Sequence, residues 1–203
     1  MQVEQIWRYP VKSMAGERLE HARIGALGIE GDRVVHVEDA QGHVITARSH
    51  YRLLGHRATL NGSGEPVVDG RLWSDPNVRM DVEDIVGPGA MLVGDDSSDR
   101  FDVLPLLVAT DGAVAAFGHD GRRLRPNLVI GGVEGLAERS WPGQCLHIGE
   151  VIIGIQDLRG RCIMTTFDPD SSKQDRQVLT DTARSLGGTP PLKCFVIRGG
   201  GVR

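Results

Sequence analysis

The sequence predicts a mainly β fold with few short helices. Three observations carry this expectation. The 203 residues are punctuated by 27 glycines and 10 prolines. Between those breaks lie short apolar or alternating runs of strand length, and sustained helical periodicity is nearly absent. The chain is long enough to bury a core of its own, as one large domain or two small ones.

Taken in order, "MQVEQIW" at Met1 and "ERLEHARIG" at Glu17 read as strands with partial alternation. "RVVHVED" and "HVITA" flank "AQG" and predict a hairpin. "PVV" and "RLW" flank Asp69 and Gly70, the pair that best suits a two-residue turn. "GDDSSDR", Gly94 to Arg100, offers no apolar side chain to bury and is expected to be a linker. It divides the chain into residues 1–94 and 101–203. Further strands are expected at "NLVIGG", "CLHIG", "EVIIGI", "RCIMTTF" and "CFVIR". One short helix should start at Thr110 or Asp111 and stop at Gly118. A second should present Val178, Leu179, Thr182, Ala183 and Leu186 on one face and stop at Gly187.

Composition narrows the function. With 27 acidic and 23 basic residues the formal charge is −4, and only 4% of residues are aromatic. General attraction to nucleic acid is not expected, and stacking platforms for single strands are scarce. The cysteines, Cys145, Cys162 and Cys194, are odd in number and widely spaced. That pattern fits neither a disulfide framework nor a zinc-ligand pair, and predicts reduced thiols in a cytoplasmic protein. Glu4, Arg8 and Lys12 interrupt the first residues, so no signal-peptide core fits there. The longest apolar stretch, "VLPLLVA", is too short to cross a bilayer.

Four motifs could carry chemistry. In "YPVKS", Lys12 and Ser13 follow a proline-stiffened strand end and could meet a phosphate through an ammonium, a hydroxyl and backbone N–H groups. "GIEGDR" places Arg33 after a glycine-bracketed turn as a second anion clamp. In "GRRLRPNLVI", Pro126 should bias Arg125 towards an extended conformation. Arg125 and Asn127, two apart in a strand, would then share a face and suit a phosphate beside a heterocycle edge. The fourth motif is "RGRCIMTTFDPD". Cys162 there reads as a buried strand residue, a nucleophile or a metal ligand; Arg159 and Arg161 nearby favour the thiolate, the form of the last two. Each motif also has a plain reading, as a solvated loop, a common turn, a basic edge strand or an inert cysteine. A small-molecule phosphate binder with a structural cysteine is one way to combine them.

In this order, "YPVKS", "GIEGDR", "RLRPNLVI", "SWPGQCLHIGEV" and "RCIMTTFDPD" resemble one family over almost the whole chain. The chain is similar to MOSC-domain proteins with their N-terminal β-barrel domain, the group that includes the amidoxime-reducing component and the C-terminal part of molybdenum-cofactor sulfurases. The resemblance implies a MOSC β-barrel domain plus an N-terminal β-barrel-like domain. It implies a molybdenum-pterin cofactor with Cys162 as direct metal ligand, held by Lys12, Ser13, Arg33, Arg125, Asn127 and Arg161. Thr110 would stand at the start of a short helix near the cofactor. The implied activity is reduction of N-hydroxylated small molecules, with electrons from a separate redox protein. The alternative is a non-catalytic cofactor or sulfur carrier in which Cys162 bears a persulfide supplied by a sulfur donor. Pyridoxal phosphate, a membrane anchor and nucleic acid are not expected. Two departures stand out: the chain stops at "IRGGGVR" where the family continues into one more strand, and Cys194 of "LKCFV" falls where some relatives have an aromatic residue near the cofactor.

Overall fold

A computed structural model describes residues 1–187 and 192–203. The first half holds β1 (Gln2–Arg8), β2 (Glu17–Leu19), β3 (Ala22–Gly25), β4 (Gly28–Ile29), β5 (Val35–Glu38), β6 (Val44–Ile45), β7 (Ala58–Leu60), β8 (Pro66–Val68), β9 (Arg71–Leu72), α1 (Pro76–Val86) and β10 (Met91–Gly94). The second holds β11 (Leu106–Thr110), α2 (Asp111–Phe117), β12 (Leu128–Gly131), β13 (Cys145–Ile148), β14 (Val151–Leu158), α3 (Gln177–Leu186), β15 (Leu192–Arg198) and β16 (Gly200–Val202). The mainly β expectation holds.

Seven strands form one curled sheet in the order β13-β14-β15-β11-β12-β1-β2. Only β11 and β12 run parallel in it, and α2 lies in the crossover between them. Both halves of the chain contribute, because β1 pairs with β12 from Gln2 opposite Gly131 to Ile6 opposite Leu128. At the other end, β16 pairs with β3, so the last residues return to the first half as a short strand. One core lies against the large sheet and includes Ile6, Val108, Leu128 and Ile153. A second, built on Val11, Val37, Leu53, Val78 and Phe167, fills the first half.

Local chemistry explains the elements. The β8–β9 hairpin turns through Asp69 (φ 48°) and Gly70 (φ 82°), and two positive φ angles match strand twist as the sequence predicts. In α2, Thr110 accepts a hydrogen bond from the Ala113 N–H at 3.0 Å, and Gly118 closes the helix in the left-handed region. In α3 the buried face is Val178, Thr182 and Leu186, whereas Ala183 of the expected face is exposed.

Three expectations are corrected. Helix α1 was not foreseen, although Asp75 caps it by accepting from Asn77 N–H at 2.7 Å, Pro76 opens it, and Val78 and Val82 bury one face. The "GDDSSDR" segment is not a bare linker. It ends in a 3₁₀ turn, Ser98–Arg100, whose Arg100 is buried with its guanidinium 4.9 Å from the Phe101 ring centre. The "RCIMTTF" run is not a strand: Ile163–Thr166 form a 3₁₀ turn, because Thr165 and Thr166 hydroxyls donate to the Cys162 and Ile163 carbonyls at 2.9 and 2.6 Å.

Candidate functional site

Where the two cores meet, a cleft encloses about 840 Å³ of space, counting the open solvent at its mouth. Lys12, Ser13, Arg33, Arg125, Asn127, Arg161 and Cys162 all line it. These residues come from four separate stretches of chain. Their convergence follows from the topology, since the turn after β1 lies beside the segment before β12, and the turn after Cys162 packs Phe167 into the core of the first half.

Thr110 is placed elsewhere. It is fully buried, does not line the cleft, caps α2, and donates its hydroxyl to Glu138 at 3.1 Å. Asn127 lines the cleft, but its amide is engaged inside the protein. Its Oδ1 accepts from Leu107 N–H at 3.1 Å, and its Nδ2 donates to the Trp7 carbonyl and to Asp32 at 3.3 and 3.2 Å. It therefore ties β11 to the end of β1 and to Asp32, and positions the wall of the cleft. Cys194 does not face the cleft either. It is wholly buried in the sheet core, which pushes its thiol up to about 12, while its neighbour Lys193 lines the cleft by strand alternation.

Arg125 is not extended, and it does not share a strand with Asn127. It has φ 53° and ψ 48° and ends the 3₁₀ turn Gly121–Leu124, while β12 begins only at Leu128. Ser13 (φ 72°) and Arg33 (φ 54°) are left-handed as well. A non-glycine residue resists this region, so three such residues around one cleft mark a backbone over-determined by its surroundings. The surroundings are visible. Ser13 Oγ accepts from Ala47 N–H at 2.9 Å, and Arg33 N–H donates to the Tyr9 carbonyl at 2.8 Å. Arg125 donates from Nη2 to the Met14 carbonyl at 2.7 Å.

Asp32 organises this wall, and the motif reading passed over it. It is fully buried, pairs with Arg33, accepts from Tyr9 N–H at 2.7 Å and accepts from Asn127. Tyr9 is buried too, and the Arg125 and Arg33 guanidinium carbons lie 4.2 and 5.3 Å from its ring centre. Burial pushes the Tyr9 hydroxyl up to about 12, against the lowering effect of the two arginines.

Arg48, Arg159 and Lys193 also line the cleft, bringing its cations to seven. Among the described residues Asp102 is the single acid on the lining. Lys12 meets it at 3.0 Å and Arg48 also pairs with it. Burial works to raise the Asp102 pKa, but Lys12, Arg48 and Arg159 outweigh it and hold the carboxyl below its usual range. Arg125 and Arg161 have no carboxylate partner among the described residues. Burial brings both down to about 10, so both remain charged near neutral pH in a poorly solvated wall. Arg161 donates from Nη2 to the Leu124 carbonyl at 2.9 Å, yet its buried Nε has no hydrogen-bond partner. Such a wall suits an anion held by several converging donors beside a thiol.

Nothing in the sequence marked Arg48 or Asp102, which stand in stretches without turn or motif signals and enter the cleft only through tertiary packing. Asp32 stood inside a quoted motif between other charged residues, and only its complete burial in the fold sets it apart from them.

Comparison with known proteins gives a consistent picture. Residues 1–84 match the family described as the MOSC N-terminal beta barrel domain, and residues 113–203 match the MOSC domain. The chain is 24% identical to mitochondrial amidoxime-reducing component 1 of Homo sapiens, over 93% of this chain and 73% of that protein. It is 25% identical to mitochondrial amidoxime reducing component 2 of Macaca fascicularis, over 90% and 71%. Among solved structures, the YUAD protein from Bacillus subtilis aligns with a TM-score of 0.52 and 12% identity, over 99% of this chain and 90% of that one, a likeness of fold alone.

Proposed function

The chain belongs to the MOSC-domain proteins that carry the MOSC N-terminal barrel, and from that premise we propose that it binds a molybdenum-pterin cofactor and reduces N-hydroxylated compounds. The observation that carries this reading is the meeting of Cys162 with two half-buried arginines that have no carboxylate partner among the described residues, one of them with a buried, orphaned Nε. A buried donor without a partner costs on the order of 1–3 kcal/mol, and an anionic ligand would relieve it. The residues present therefore fit the group. Arg125 and Arg161, with Lys12 and Arg33 beside them, would hold its phosphate and pterin, and Cys162 would supply a soft thiolate ligand. Among the described residues no group of three or more His, Cys, Asp and Glu is placed to hold a metal, so the other ligands would come from the cofactor itself.

When bound, the group supplies the redox centre at which the N–O bond is cleaved. The net change converts an amidoxime, two protons and two electrons into an amidine and water, with electrons from a separate redox protein. The protein's own residues position and shield. Asp32 fixes Arg33 and, through Asn127, the segment before β12. The Thr165 and Thr166 hydroxyls lock the turn that presents Cys162. The likeness to the human and macaque amidoxime-reducing components supports this choice of substrate.

Protein purified from a host that makes the cofactor should carry about one molybdenum per chain and convert benzamidoxime to benzamidine with a chemical reductant. A persulfide on Cys162 by mass spectrometry, with neither metal nor turnover, would show a sulfur carrier instead.

A further inference from the structure

We infer that Arg159, with Arg48 and Lys193, selects an anionic substrate: an N-hydroxylated compound that carries a carboxylate on an apolar body. This inference rests on the proposed reductase reading and names its substrate class.

The charges of the cleft divide into two groups. Arg125 and Arg161 are driven into the wall, and Arg33 is held by buried Asp32. The remaining cations are less committed. Arg159 is half-buried, stands next to Gly160 and two residues before Arg161, and has no ion pair or hydrogen bond among the described residues. Lys193 stands 3.6 Å from Asp157, an acid that is itself 61% exposed, so water screens that pair and leaves the ammonium available. Arg48 shares Asp102 with Lys12. Asp102 is thus already balanced by two cations, and no second acid lines the cleft to attract a cationic substrate.

The same cleft offers apolar contact. Phe101, Val103, Leu104 and Leu107 line it, and Val103 is 41% exposed although it is a large aliphatic residue. A molecule with an apolar body and an acidic group would cover this surface and meet Arg159, whereas a protonated amidine or guanidine would enter a field of its own sign.

Benzoate and benzamide, equal in shape and different in charge, test the selection on the purified protein by calorimetry. Benzoate should bind at least about fivefold more tightly, the preference should shrink with added salt, and Arg159→Glu should abolish it. Arg159→Gln, a milder change, should reduce it if the glutamate variant does not fold. Equal binding of the two probes, or benzoate affinity unchanged in a folded Arg159 variant, overturns the inference. In the cofactor-loaded protein with a chemical reductant, kcat/KM should favour 4-carboxybenzamidoxime over benzamidoxime, and Arg159→Glu should reverse the order. If neither compound is reduced, the reductase reading fails while the binding measurement still decides the selection of anions.

Discussion

The guanidinium carbon of Arg125 lies 4.2 Å from the centre of the buried Tyr9 ring. The ring offers its negative face to a half-buried cation, a contact worth about 0.5–2 kcal/mol. Tyr9 also anchors itself by donating its hydroxyl to the Pro126 carbonyl at 3.2 Å. Tyr9→Phe should keep the ring under Arg125 and lose only that hydrogen bond, about 0.5–1.5 kcal/mol by urea unfolding. Tyr9→Leu should lose clearly more and weaken binding of inorganic phosphate. Equal losses in the two variants would show that the cation contact contributes nothing.

Asp32 should be the most sensitive acid in the protein. Its removal leaves Arg33, Tyr9 N–H and Asn127 without their shared acceptor in a fully buried position. Asp32→Ala is expected to destabilise by about 3–5 kcal/mol, as for one broken half of a buried pair. Denaturant midpoints compared at constant slope measure it, and a loss below about 1 kcal/mol contradicts the hub role.

Cys162→Ser should fold normally, because the cysteine is only partly buried and its carbonyl, not its thiol, accepts the Thr165 hydroxyl. Metal analysis should then find molybdenum lost from an otherwise intact protein. Retention of metal and of benzamidoxime reduction excludes Cys162 as the ligand.

Acid should unfold the protein partly through Asp111. Burial works to raise its pKa, but the N–H groups of Gly132, Val133 and Gly112 outweigh that and hold it below the ordinary 3.8. A carboxylate depressed on folding stabilises above its unfolded value, and that contribution is lost as pH falls through the lower folded value. Melting temperature should therefore hold steady at neutral pH and drop below about pH 4. Asp111→Asn should lower stability at neutral pH and flatten that drop. An unchanged acid slope in the variant shows that the loop after β12 does not depend on this charge.

Much of this was legible in the sequence, for local reasons. Glycine and proline punctuation, strand-length runs and the Asp69-Gly70 pair specify strands and turns within a few residues of themselves, and Thr110 and Gly118 mark the ends of α2. Helix α1 shows the limit of reading by apolar stripe: only Val78 and Val82 are buried in it, too few to display a period, although its Asp75-Pro76 start was present in the letters. The run after Cys162 misled because threonine favours strands by composition, and here its hydroxyls close a turn instead.

The sequence by itself determined the β class and the family, and it singled out Cys162 as the candidate on which the proposed site rests. Tertiary structure alone decided which charges face that cysteine. It set Thr110 and the Asn127 amide to structural work, bent Arg125 into the left-handed region, made Asp32 the buried partner of Arg33, and drew in Arg48 and Asp102 from stretches without a motif. The reason is physical. A strand or a turn is fixed by neighbours in the chain, whereas the worth of a charge depends on its burial and on partners that only the folded sheet brings within reach.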